Sequence, residues 1–178
     1  MHKFYKMSKA NLKKEVSQMS AEQLREIILD AYDAVPEIKQ YFEYFINPDE
    51  DKLLTDFSEF VKKEFYRSKR HNCKARVLVV KRELKKMQGF GMSYHKFNNA
   101  LLIVVVHIGI ADKFVYLTDA HRKLVDFCIE QLLARADKVG QYSDILKRID
   151  ETIIKCDYVT FDIKERCRIA VRNHKEQL

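Results

Sequence analysis

Apolar residues recur along this chain every three to four positions, so most segments carry a single apolar stripe. The exception is 94–110, YHKFNNALLIVVVHIGI. Tyr94, Phe97, Leu101, Val104, Val105 and Ile108 fall on one helical face, and Leu102, Ile103, Val106 and Ile110 cover much of the other. A helix that is apolar on most sides is one that its neighbours surround. This segment is therefore expected at the centre of the fold.

The remaining segments read as the elements around it. Ser8 caps a short helix over 9–18. Ser20-Ala-Glu-Gln23 has capping-box spacing and opens a helix with Leu24, Ile27, Ile28, Ala31 and Val35 on one face. Pro36 suits the first turn of the next helix, with Ile38, Tyr41, Phe42 and Phe45 inward. Asn47 and Pro48 read as cap and first residue of a fourth helix, with Asp49, Glu50 and Asp51 facing the positive end of its dipole. Its stripe is Leu53, Leu54, Phe57, Phe60, Val61 and Phe65. Ser68–Asn72 is a polar break, and a fifth helix follows with Cys73, Val77, Val80, Leu84 and Met87 inward. Gly89-Phe-Gly91 stops it, and Ser93 caps the apolar helix. Thr118, Ser143 and Thr160 cap three more, with Gly140 ending the first of these. The segment 110–117 is a connector without an assigned element.

This pattern predicts an all-α, single-domain antiparallel array of about eight to nine helices, preceded by a frayed leader over 1–7 and occupying 8–174. The helix lengths also suit solenoid-like stacking, but no repeat near about 34 or 40 residues is visible. Three runs rich in β-branched residues, 76–80, 101–110 and 158–163, compete as buried strands. The four-three spacing through 73–87 favours helix for the first.

Composition narrows the class. The 178 residues include four Gly, two Pro and 33% charged residues, a helix-rich profile. Cys73, Cys128, Cys156 and Cys167 form no CxxC pair and sit in or beside apolar stripes, as reduced thiols of a cytoplasmic protein would. The start MHKFYKM has no apolar run behind it, which predicts no secretory signal. The charge-free run 97–111 falls short of the about 20 residues that cross a bilayer, so no membrane association is expected.

Charge points to one segment. Lys62, Lys63, Arg67, Lys69, Arg70, Lys74, Arg76, Lys81, Arg82, Lys85 and Lys86 face only Glu64 and Glu83 within 62–86. The window carries +9 of a net charge of +7. Clustered Lys and Arg attract phosphate backbones or an acidic protein partner, and Tyr66 among them can stack on a base. A solvated basic face is the plainer reading.

Other chemistry is thinner. The acids Asp49, Glu50 and Asp51, with Asp56 and Glu59, suit a helix start better than a cation loop. His71 and Cys73 lack two further ligands for zinc. Cys73, flanked by Arg70, His71, Lys74 and Arg76, has the one basic setting that would favour a thiolate, although its stripe position predicts burial. His107 lies in the apolar helix, as a satisfied core histidine or as part of a polar pocket with Asn99 and Tyr94. No catalytic, nucleotide-binding or cofactor motif is present in the sequence.

At 8–14 (SKANLKK), 20–24 (SAEQL) and 41–53 (YFEYFINPDEDKL) the chain resembles a family of small all-helical bacterial proteins catalogued as a domain of unknown function. The resemblance implies a helical fold, a bacterial origin and a cytoplasmic setting. It implies no activity, and no catalytic residue carries over. The reading that follows is a non-enzymatic interaction or scaffold module without cofactor or metal. Non-specific nucleic-acid binding through 62–86 is the alternative, and an enzyme or ligand carrier with a pocket near His107 is the third.

Overall fold

The computed structural model describes residues 7–66 and 75–176. Nine helices and no strand are found among them. The β-branched runs follow suit: 77–80 and 101–110 are helical, and 161–163 opens the last helix. The described residues fall into two compact units, 7–48 and 49–176.

The first unit holds α1 (Lys9–Val16), α2 (Ala21–Ala34) and α3 (Pro36–Ile46). The caps are those the sequence predicts. Ser8 Oγ accepts from Asn11 N–H at 3.2 Å. Gln23 N–H donates to Ser20 Oγ at 3.2 Å, while Ser20 N–H donates back to Gln23 Oε1 at 2.9 Å. Val35 alone joins α2 to α3, and Pro36 takes the first helical position, where its missing N–H costs nothing. The two helices pack on each other, and Leu24, Ala31, Ile38 and Phe42 on them are half-buried. None of the three helices contains a buried residue.

The second unit holds α4 (Glu50–Tyr66), α5 (Val77–Gly89), α6 (Tyr94–Ala111), α7 (Asp119–Lys138), α8 (Tyr142–Ile149), a π turn (Asp150–Ile154) and α9 (Phe161–Lys175). The chain reverses at each joint. Ser93 meets Glu50 and His107 meets Tyr66, so α4 and α6 run parallel. His121 meets Ala75 and Phe127 lies under Lys81, so α5 and α7 share the opposite direction. Asp162 meets Arg122 and His174 meets Asp137, which adds α9 to that set. As the sequence predicts, α6 is central: it packs against α4, α5, α7, α9 and the π turn. Leu101, Val104, Val105 and Ile108 on it are fully buried.

Three local expectations change. Asn47 does not cap α4. It ends α3 instead, as the C-cap at φ −137°, ψ 79°, and Pro48 stands outside α4. The cap is Asp49, whose Oδ1 accepts from Lys52 N–H at 2.8 Å. The start of α8 is Tyr142 after Gln141, not Ser143, because Gly140 at φ +68° already turns the chain. Beyond Ile149 the helix widens into the π turn. Steps of four along an α-helix drift by about 40°. The wider turn takes up that drift between Ile149 and Ile153, both buried.

Candidate functional site

The last turns of α4 alternate between core and surface. Val61, Glu64 and Phe65 are buried, whereas Lys62 and Lys63 are exposed and Tyr66 lies at the edge. A buried carboxylate needs a partner, and Arg76, just before α5, supplies one. Its Nη2 donates to Glu64 Oε1 at 2.5 Å, its Nε to Oε2 at 3.2 Å and its backbone N–H to Oε2 at 3.3 Å. This bidentate grip raises the Arg76 pKa and ties the two helices together across the polar break. Beside it lies a shallow groove of about 540 Å³, lined among the described residues by Glu59, Phe60, Lys62, Lys63, Glu64, Tyr66 and Arg76.

Tyr66 also touches α6. Its hydroxyl lies 3.4 Å from His107 Nδ1, with the rings edge to face at 5.7 Å. Burial raises the Tyr66 pKa. Burial, and then Lys62, lower that of His107 against a smaller opposing effect of Glu59. A neutral imidazole beside a neutral phenol makes a packing contact with no activated nucleophile.

Seven of the eleven basic residues fall among the described residues, and several of these are not free. Arg67, Lys69, Arg70 and Lys74, with His71 and Cys73, lie outside the described residues. Arg76 is held by Glu64, and the Lys81 ammonium sits 4.6 Å from the Phe127 ring centre. Lys86 pairs with Glu83 at 3.7 Å, and Lys62 with Glu59 at 3.9 Å. Lys63 stays at the groove. Arg82 and Lys85 point outward from α5 on one face with Leu78, which is 78% exposed.

The polar pocket around His107 does not assemble. Asn99 accepts a hydrogen bond from Arg148 of α8. Tyr94 lies under the Arg135 guanidinium of α7 at 5.8 Å. Both sit near the opposite end of α6 from His107. The acids before and at the start of α4 are likewise engaged singly: Asp49 caps, Glu50 accepts from Ser93 N–H and Oγ at 2.5 and 2.6 Å, and Asp51 pairs with Lys96.

Two features were missed in the sequence. His121 is buried at the start of α7 and acts as the return partner of the Thr118 cap. Its Nδ1 accepts from Thr118 N–H at 3.1 Å, which assigns the ring proton to Nε2, donating to the Ala75 carbonyl at 3.2 Å. The second is a groove of about 440 Å³ between α7 and α9. There Arg166 grips Asp126 at 2.7 and 3.0 Å, and Asp162 pairs with Arg122 at 3.3 Å. The repeated 40-residue offset of these pairs is a faint signal of parallel helices.

The chain belongs to the Family of unknown function (DUF6155), which matches residues 7–129, from before α1 into α7. No curated protein and no solved structure matches it.

Proposed function

We propose that the chain is a protein-interaction module and that the unit 7–48 carries its recruiting face. The observation behind this reading is the pairing of amphipathic helices with an unfilled core. Ile27 and Ile28 of α2 are 50% and 44% exposed, and Phe45 and Ile46 of α3 are 69% and 77% exposed. Fully burying one such side chain is worth roughly 1.5–3 kcal/mol. A partner covering three of them gains enough to bind, and exposed apolar side chains gathered on paired helices are what interaction sites present. The basic segment supports the nucleic-acid alternative less than its charge count suggests, because Arg76 and Lys81 are spent on internal contacts.

The test places a photoreactive side chain at Ile28, at Phe45 and, as control, at exposed Lys138. Irradiation in the source cells is expected to yield protein adducts from the first two and none from Lys138. Absence of adducts at both Ile28 and Phe45 would count against the reading.

A further inference from the structure

The face of α2 opposite its apolar stripe is also out of the ordinary. Glu22, Glu26, Asp30 and Asp33 recur at four-four-three spacing along one arc of the helix, and Leu29 borders that arc, three residues after Glu26 and four before Asp33. All five are exposed, Leu29 at 56%. Arg25 flanks the arc. On α5 the same kind of arc is formed with the opposite sign: Leu78, Arg82 and Lys85 recur at four-three spacing and all are exposed. No ion pair among the described residues involves Glu22, Glu26, Asp30, Asp33, Arg82 or Lys85.

Solvation alone gives no use to an exposed leucine at the border of a charged arc. A helix–helix contact does: apolar side chains fill the middle and opposite charges flank them, as in the seams of paired helices. The two stripes pair an exposed leucine with charges of opposite sign, and every copy of the chain carries both. We propose that α2 of one copy docks its Glu26–Leu29–Asp33 stripe on the Leu78–Arg82–Lys85 stripe of α5 of a second copy. This goes beyond the apolar face above, because it uses the other side of α2 and names the acidic partner that the basic segment calls for. The contact is head to tail, so it propagates from copy to copy. One helix pair buries less than about 1,200 Å², which places the association in the weak class. Its charged rim makes it sensitive to salt.

Sedimentation equilibrium of the whole chain, at about 0.01 M and about 1 M salt, tests this. Concentration-dependent association is expected at low salt, with loss at high salt. Two variants sharpen it. Glu26→Lys, Asp30→Lys and Asp33→Lys together make both stripes basic, and Arg82→Glu with Lys85→Glu make both acidic. Each variant alone is expected to associate at least roughly tenfold more weakly than the wild type. A mixture of the two is expected to recover association, since every junction is again of opposite sign. All substituted positions are exposed, and circular dichroism checks that each variant stays helical. A monomer at every concentration, association untouched by both reversals, or a mixture that does not recover would each overturn the proposal. Adducts from Ile28 and Phe45 in a chain that stays monomeric would overturn self-docking and leave the interaction reading standing.

Discussion

Phe45 and Phe65 occupy equivalent places in their helices, each near the end of a well-spaced apolar stripe. Phe65 is fully buried in the unit 49–176, and Phe45 is 69% exposed in the unit 7–48. The stripe Leu24-Ile27-Ile28-Ala31 is spaced as regularly as Phe57-Val61-Phe65. What differs is the number of neighbours. A second helix covers part of a stripe, and only a third closes over the rest. Around α6 there are several; α2 and α3 have each other. Amphipathicity therefore marks a face that can be buried, and whether it is buried depends on how many elements reach it.

The largest expected contrast breaks or sustains this comparison directly. Phe65→Ala leaves a hole in the larger unit and is expected to destabilise it by about 3–5 kcal/mol. Phe45→Ala removes little buried area and is expected to stay within about 0.5 kcal/mol of wild type. Urea denaturation followed by circular dichroism measures both. Equal losses would mean that Phe45 belongs to a core after all.

Next in size is the close approach of the Val159 side chain to the α6 backbone at Gly109. A Cβ on Gly109 would lie 2.5 Å from Val159 Cγ1, with Val159 itself buried, and Thr160 N–H donates to the Gly109 carbonyl at 3.2 Å. Gly109→Ala is expected to cost about 1–3 kcal/mol. Val159→Ala opens the same space, so the double variant is expected to be less destabilised than the sum of the singles. Plain additivity would remove the steric explanation.

Much of the fold could be read from residue pattern. The all-round apolar run through Leu101–Ile108, the box at Ser20 and Gln23, and the stop at Gly91, which has φ +77°, are local signals with local causes. The misses at Asn47, Ser143 and the π turn come from competition between neighbours: Asp49 takes the cap, Gly140 turns the chain early, and two buried isoleucines lie across the widened turn. The candidate site was less legible. Arg76 is spent on Glu64 twelve residues away, Lys81 on Phe127 and Tyr66 on His107. Which cations stay free depends on helix packing order, and a single sequence does not carry that order.

Acid titration separates the units by their histidines. In the larger unit, burial holds His121 below its ordinary value, against the bond to the Ala75 carbonyl, and it holds His107 low as well. The unfolded imidazoles bind protons near about pH 6.5, while the folded ones resist. The unfolded state therefore takes up more protons as pH falls. Stability is expected to be level above about 6.5, to decline below it, and to level off again under the folded values. Protonation of Nδ1 would also end its role as acceptor of the Thr118 N–H. His121→Gln keeps the capping-box partner and removes the titration, so urea midpoints from pH 7 to 5 should fall less steeply in the variant. An identical slope would exclude His121 as the source.

The smallest effect is the most discriminating between the units, because it asks where a lost cap is felt. Ser20→Ala removes the hydroxyl that receives Gln23 N–H, and Asp49→Ala removes the carboxylate that receives Lys52 N–H. Either loss is worth about 1 kcal/mol in its own helix. In the larger unit α4 is bound into the core through Phe57, Val61 and Phe65, so fraying its start draws on the cooperative unit. Asp49→Ala is expected to lower the urea midpoint. In the smaller unit α2 has no buried residue to transmit the loss. Ser20→Ala is expected to leave that midpoint in place and to speed amide exchange over 21–24 alone, since regions with few buried contacts open locally. A midpoint that moves equally in both variants would mean that the two units melt as one, and the exposed side chains of α2 and α3 would then have to be counted as part of a single cooperative core.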